Sequence, residues 1–321
     1  MNTPGFGWAQ QPRKNALDAK GLCDVAELPS WYEAYRHVRS GYRVGYTSCD
    51  CVRSVGEWHN ETCNVWSHVG GCAIFGLRSL SNPGSTVEDL AVLAFTASAT
   101  AMFGLSAGYH VFHPVSPTAF QRWLRADKFG IAVMIGGSFA PGVWLGFACE
   151  PLQVRVFWLL DALLLSCIGS SLAVGSTKNT QRHRAIFASL VLSALAPTLH
   201  WFRVAPAPLR RGLAPGLLAM FAWYALGFAL YASAWPEKRY PGKFDLLGAS
   251  HQLWHLCILA AAITWLRNVD TCLALLDRTN PDPLASWLAS DLLFHRPRRA
   301  LAAADLGHHL ENDICATTYS F

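Results

Sequence analysis

Long apolar stretches, separated by short polar ones, dominate the pattern of residues along the chain. They run near residues 63–80, 90–112, 129–149, 152–175, 185–202, 212–235 and 247–266. Each has roughly 18–24 residues, the length with which a helix crosses about 30 Å of hydrocarbon. Helices satisfy their own backbone polar groups, which lipid cannot do. The pattern therefore predicts an all-α membrane protein, a seven-transmembrane helix bundle, although Arg78 and Pro197 interrupt the first and fifth stretches.

The distribution of positive charge predicts the orientation of this bundle. Loops on the N-terminal side of the stretches carry eight lysine or arginine residues, against five in the loops on the other side. Loops rich in these residues stay in the cytoplasm. We therefore expect a cytoplasmic N-terminal region with a short interfacial segment at 1–62, the helix bundle at 63–267, and an extracytoplasmic C-terminal tail at 268–321.

The composition agrees with a membrane protein and excludes some classes of function. Of the 321 residues, 52% are hydrophobic and 15% are charged, whereas about a quarter are charged in soluble domains. The net charge of +5 is spread over loops, so it favours an orientation in the bilayer rather than nucleic-acid binding. The chain contains no phosphate-binding glycine motif. We expect an integral, multi-pass protein of the plasma membrane or an endomembrane.

Polar side chains at the ends of three stretches are candidates for function, because ionisable groups are costly in a membrane. The segment "GASHQLWH" places His251 and His255 four residues apart, hence on one face of a helix. The segment "GLSAGYHVFH" places Ser106 and His110 at the same spacing, and "LRADKFG" places Asp127 where the third stretch begins. With alternating helix directions, all five residues come to the N-terminal face of the bundle.

Three imidazoles with one open coordination position are the ligand set of catalytic zinc. In this interpretation His110, His251 and His255 bind the metal. Asp127 holds or deprotonates a water molecule whose pKa zinc lowers to about 7, and Ser106 donates a hydrogen bond to a substrate oxygen.

Some of these polar residues also have interpretations other than a metal site. A single histidine at a membrane interface is more often a hydrogen-bonded structural residue. Gln252 stands where a zinc peptidase of the H-E-x-x-H type has its glutamate, and two histidines on one face suit bis-histidine haem poorly. Asp161, within the fourth stretch, has no evident partner. Asn60, Glu61 and Thr62 are interpreted as polar capping residues, and His68 as a packed or cavity-facing residue.

Around these residues the sequence resembles the progestin and adipoQ receptor family, which is related to haemolysin III, and it is most similar to the adiponectin-receptor branch. The resemblance covers roughly residues 28–268. It is carried by "GYRVGYTSCDCVRSVGEWHNETCNVWSHVGG", "SAGYHVFHPVSPTAFQRWLRADKFGIAVMIGGSFAPGVWLGF", "APTLHW" and "YASAWPEKRYPGKFDLLGASHQLWH". The spacing of Ser106, His110, Asp127, His251 and His255 matches the family pattern.

The resemblance implies seven helices, a cytoplasmic N-terminus and a Zn²⁺ ion near the cytoplasmic face, bound by His110, His251 and His255. It also implies that Asp127 contacts the water on the metal and that Ser106 lies close to it. Members of the family are linked to lipid signalling, and some are described as slow ceramidases. The implied partners are therefore a lipid or sphingolipid ligand, ceramide-like or a free fatty acid, and an extracellular hormone.

Two features depart from the family pattern. Both bear on the external ligand rather than on the residues expected to bind the metal. Pro114 stands where the family often has cysteine, and the tail beyond about residue 268 matches no pattern of the family. Two functions remain open from the sequence. One is a zinc-containing receptor with ceramidase-like amide hydrolysis, and the other is a non-catalytic receptor of a hormone or lipid with a structural zinc.

Overall fold

A computed structural model of the chain describes residues 21–82, 84–175 and 180–279, and its long elements in these ranges are all helices. They are α1 (Ser48–Arg53), α2 (Thr62–Leu80), α3 (Val87–Phe112), α4 (Pro117–Gly146), α5 (Leu152–Gly175), α6 (Thr180–Ser193), α7 (Leu195–Val204), α8 (Ala207–Ser233) and α9 (Ser250–Thr279). Short 3₁₀ turns lie at Val25–Glu27, Ser54–Gly56 and His113–Val115. In the described part of the chain the β-structure is limited to one bridge between Cys23 and Tyr42. The expected all-α class is confirmed.

Five of the described helices are long and apolar enough to cross a membrane: α3, α4, α5, α8 and α9. The outer surface of α5 shows why lipid must surround them, since Phe157, Leu160, Leu163 and Leu164 are all exposed. Such a contiguous apolar face is unfavourable in water but matches a hydrocarbon environment. The protein is therefore an integral membrane protein with several spans.

The first and fifth predicted spans differ from these five. Helix α2 covers the first with 19 residues, but it has no 18-residue segment as apolar as those of the five. The fifth is divided into α6, with 14 residues, and α7, with 10. Pro197 accounts for the division, because proline lacks an N–H group and its ring clashes with the carbonyl four residues earlier. That residue is Ser193, where α6 ends. The count of seven spans and the orientation of the termini stay predictions.

Helix α4 begins twelve residues before the predicted third span. The hydroxyl of Ser116 caps it by accepting a hydrogen bond from the Ala119 backbone, and Pro117 occupies the first helical position. Both residues are favourable there, because the first backbone N–H groups of a helix have no partner within the helix. Asp127 therefore lies well inside α4, not at its beginning as expected.

Two clusters of buried apolar side chains fill the bundle. One surrounds Phe75, Phe95 and Phe103 between α2, α3, α4 and α9. The other is larger and joins α4, α7, α8 and α9 around residues such as Trp201 and Leu213. The first cluster lies directly beneath the candidate site, so it fixes the positions of the helices that carry the site residues.

Residues 21–61 form a compact segment, here named the N-terminal cap, which packs against one end of the bundle. Its buried side chains include Tyr32, Tyr42 and Val44. The carboxylate of Asp245, in the loop between α8 and α9, accepts hydrogen bonds from the backbone N–H groups of Arg39 and Ser40 at 3.1 and 2.9 Å. The cap is thereby attached to the loop that leads into α9.

The expected C-terminal tail at 268–321 falls mostly outside the described residues. Its first part, up to Thr279, belongs to α9. The extracytoplasmic tail therefore stays a prediction. Cys149, which follows α4, is disulfide-bonded.

Candidate metal centre

The three histidines expected to bind metal meet at the end of the bundle that the N-terminal cap covers. His110 comes from the last turn of α3, and His251 and His255 come from the first two turns of α9. Their ring centroids are 4.7 to 5.4 Å apart. One ligand nitrogen from each ring lies within 4.8 Å of the others. These residues form a group that could hold a metal ion.

Two of the ring nitrogens support this interpretation because they have no other partner in the described part of the chain. Nδ1 of His251 and Nδ1 of His255 are buried and make no hydrogen bond with the described residues. Buried polar atoms normally have a partner, and an imidazole lone pair without one is costly. A cation shared with His110 would satisfy both atoms, so the donor set fits a metal such as zinc.

The beginning of α9 is shaped by the sequence before it. Gly248 adopts a φ of +87°, which glycine reaches without strain, and its N–H donates to the side-chain oxygen of Gln252 at 2.6 Å. The N–H of Ser250 donates to the carboxylate of Glu237 at 2.7 Å. These bonds satisfy backbone donors at the helix N-terminus. They set the start of the helix so that His251 and His255 face the bundle.

Ser106 and Asp127 lie beside the imidazoles, as the sequence analysis expected. Their side chains are hydrogen-bonded to each other, and the Asp127 carboxylate interacts electrostatically with His110. Ser106 is buried and Asp127 is half-buried. Although Asp127 is well inside α4, the antiparallel packing of α3 and α4 brings it level with Ser106. Ser106 itself lies one turn before His110 in α3. The structure thus brings all five predicted residues together.

Glu61 is a further residue of this centre, and sequence reasoning interpreted it only as a capping residue. Its carboxylate is 1% exposed and makes no capping bond to α2. Instead Oε2 lies 2.8 Å from Nδ1 of His110. Burial raises the pKa of Glu61, but the His110 ring and His113 outweigh this and hold that pKa below its usual range. Glu61 is therefore a carboxylate in direct contact with a candidate ligand.

Arg43, Tyr35 and His68 also contact the centre. Sequence reasoning missed the first two and interpreted His68 as a packed or cavity-facing residue. Arg43 is fully buried and donates from Nη2 to the backbone oxygen of His110 at 2.6 Å. The ring of Tyr35 lies 4.8 Å from that of His251. His68 stacks on His255 at 3.8 Å, and both of its ring nitrogens lack a hydrogen-bond partner in the described structure. The sequence alone does not show that Arg43 is buried. His68, in contrast, stands out in "NVWSHVGG" as a polar residue within an apolar stretch.

The fold and the site together define a class: a helical, multi-pass membrane protein with a buried group of three histidines at one end of its bundle. The chain belongs to the haemolysin-III related family, whose sequence model matches residues 56–266. This confirms the resemblance that the sequence motifs indicated.

Individual relatives agree with this assignment. The chain is 31% identical to the adiponectin receptor protein of Drosophila melanogaster over 78% of its length, and 29% identical to progestin and adipoQ receptor family member 3 of Homo sapiens over 76%. It is 26% identical to heptahelical transmembrane protein 1 of Arabidopsis thaliana over 78%. The matches cover 83% of the human relative and 81% of the plant one, but only 59% of the fly protein. The chain is thus a membrane protein of the adiponectin and progestin–adipoQ receptor type.

Proposed function

We propose that this protein is a zinc-containing receptor that hydrolyses the amide bond of ceramide-like lipids, releasing a sphingoid base and a fatty acid. The observation that carries the proposal is the hydrogen-bonded pair of Ser106 and Asp127 beside the three imidazoles. A purely structural metal site needs ligands only, whereas hydrolysis also needs a group that moves a proton. In the proposal His110, His251 and His255 hold the zinc.

Zinc in such a site lowers the pKa of a water molecule to about 7 and polarises a carbonyl group. Asp127 takes a proton from the attacking water onto its carboxylate and delivers it to the amide nitrogen as the C–N bond breaks. Ser106 orients the Asp127 carboxylate through their hydrogen bond. General acid–base catalysis of this kind contributes about 10² to 10⁴ in rate.

The position of the site suits a lipid substrate. The histidines lie in the terminal turns of α3 and α9, two helices long and apolar enough to cross a membrane. The acyl chain of a ceramide can therefore stay among apolar side chains while its amide reaches the polar end of the bundle. The N-terminal cap covers the same end and restricts access from water.

A second function is favoured by a different observation. An apolar cavity of about 110 Å³ lies in the opposite half of the bundle, lined by residues including Phe139, Trp201 and Trp265. None of the five site residues lines it. A lipid or hormone that acts on that end would not need to contact the metal. This arrangement is expected of a non-catalytic receptor with a structural zinc.

An assay on purified protein separates the two functions. The full chain in lipid nanodiscs is incubated with ceramide, and the release of sphingoid base and fatty acid is followed by mass spectrometry. Asp127→Asn should lower the rate by about 10²-fold or more while zinc content, from elemental analysis, is kept. His251→Ala should lose both zinc and activity, because it removes a ligand.

His200→Ala provides the matched control. His200 lies in α7 and its ring accepts a hydrogen bond from Trp158 at 3.0 Å, far from the three histidines along the bundle. This variant should keep zinc and activity. If the wild-type protein carries zinc but releases no more product than Asp127→Asn, the hydrolase function is wrong and the receptor with a structural zinc is favoured.

A further inference from the structure

Helix α2 presents three polar residues to the metal centre. Glu61, Asn64 and His68 are spaced at i, i+3 and i+7, which places them on one face of a helix. All three are buried. Each of them contacts one of the candidate metal ligands or a residue bonded to one, so α2 forms one wall of the centre although it supplies no ligand itself.

Glu61 is the most highly bonded of the three. Its Oε2 atom accepts hydrogen bonds from the Nδ2 group of Asn64 at 2.6 Å and from the hydroxyl of Tyr35 at 3.2 Å, in addition to the contact with His110 at 2.8 Å. The other oxygen, Oε1, lies 3.6 Å from Nε2 of His113. A buried carboxylate is stable only when donors of this kind surround it. The orientation of Glu61 is therefore fixed from both α2 and the N-terminal cap.

The contact with Glu61 determines which nitrogen of His110 can bind a metal. A carboxylate has no proton to donate, so the hydrogen between the two groups must be on Nδ1 of His110. In a neutral ring the lone pair is then on Nε2. Arg43 holds the backbone of the same residue through the carbonyl oxygen, so both the position and the tautomer of His110 are set by its neighbours.

We propose that Glu61 is the positioning residue of the metal centre, which holds the Nδ1–H group of His110 so that Nε2 faces His251 and His255. The proposal rests on the zinc site of the proposed function but not on the reaction. Partners of this type orient metal-binding histidines and raise their basicity, and their loss weakens metal binding about 10- to 100-fold.

The same turn of α2 also reaches a second ligand. The ring of His255 hydrogen-bonds to the backbone oxygen of Asn64, which leaves its unpartnered Nδ1 for the metal. Asn64 thus connects the two contacts, since its side chain donates to Glu61. Two of the three ligands therefore depend on the first turn of α2, and through Tyr35 on the N-terminal cap.

Zinc affinity, measured by competition with a chelator on the detergent-purified full chain, tests the proposal. Glu61→Gln keeps the size of the side chain but removes the charge, and it should weaken zinc binding about 10- to 100-fold. With Co²⁺ in place of zinc, the visible absorption spectrum of this variant should also change, because the His110 ring is no longer held. Tyr35→Phe removes one of the donors to Glu61 and should have a smaller effect in the same direction.

Asp245→Asn separates positioning from general stability. Asp245 attaches the cap to the loop before α9 and has no hydrogen bond to Glu61. This variant should lower the thermal midpoint of unfolding without weakening zinc binding. If Glu61→Gln binds zinc as tightly as the wild type, or if Asp245→Asn weakens binding equally, the proposal is overturned while the zinc site stands. A wild-type protein that binds no zinc would overturn both.

Discussion

His59, in the N-terminal cap, makes hydrogen bonds that require its ring to be neutral. Its Nε2 atom lies 3.1 Å from the backbone oxygen of Ser54, and its Nδ1 atom accepts from the N–H of Glu61 at 3.1 Å. Both bonds are made only by a neutral ring with hydrogen on Nε2. Burial and the charge of Arg43 accordingly lower the pKa of His59 to about 3.

This pKa predicts a loss of stability in acid. Between pH 7 and pH 5 the His59 ring becomes protonated in the unfolded chain, whose pKa is about 6.5, but not in the folded one. The unfolded state therefore binds more protons, and the contribution of His59 falls by about 2 kcal/mol over this interval. We expect the free energy of unfolding in SDS to differ less between wild type and His59→Gln at pH 5 than at pH 7.

The control for this prediction is His37→Gln. His37 lies in the same cap but is exposed, so its replacement leaves the buried hydrogen bonds of His59 in place. Its replacement should leave the pH dependence as it is. A constant difference between wild type and His59→Gln at both pH values would mean that His59 is not held neutral.

At this scale the sequence predicted the residues of the centre better than their partners. His251 and His255 were evident because i, i+4 spacing is a local property of one helix. Asp127 was evident because helix direction alternates along the chain. Glu61 was not, because its contact with His110 joins residues 49 positions apart, and nothing in the spacing of "HNET" shows that its carboxylate turns inward rather than capping α2.

At the scale of elements, two adjacent glycines in α2 have opposite roles. A methyl group at Gly71 would lie 2.6 to 2.9 Å from ring atoms of Phe103 in α3, whereas one at Gly70 would meet nothing within 4 Å. Phe103 is fully buried and stacks on Phe75 at 5.6 Å, so its ring has little room to move. Small residues of this kind let membrane helices approach closely.

We therefore expect Gly71→Ala to destabilise the protein by about 1–3 kcal/mol, the usual effect of overpacking. Gly70→Ala serves as the control and should be neutral or stabilise the protein by up to about 1 kcal/mol, because alanine favours helix. The thermal midpoint of the detergent-purified variants measures both. Equal midpoints for the two variants would mean that α2 and α3 are not in close contact at Gly71.

Helix positions were predictable from the apolar pattern, but their ends were not. The pattern placed the third span at residue 129, where hydropathy rises, while α4 starts twelve residues earlier because Ser116 and Pro117 begin it. Conversely, Pro197 was noted as an interruption, and the helix does break four residues before it. Hydropathy locates the segment in lipid, whereas capping and proline chemistry decide where the helix begins and ends.

At the scale of the whole molecule, the distribution of charge predicts how the bundle is oriented in the membrane. Positive residues are more frequent in the loops on the side of the N-terminus, which predicts that this side is cytoplasmic. The N-terminal cap and the three histidines lie at the same end of the bundle. A cytoplasmic cap therefore implies that the metal centre, too, faces the cytoplasm.

Labelling of two positions with a membrane-impermeant maleimide tests this orientation in intact cells. Cys49 is an exposed, free thiol in the cap, and it should react only after the membrane is permeabilised. Ser85 is exposed in the short loop between α2 and α3. A cysteine at that position, Ser85→Cys in a Cys49→Ser background, should react without permeabilisation. The Cys49→Ser protein alone corrects for other thiols, and the reverse pattern would place the metal centre on the outer side of the membrane.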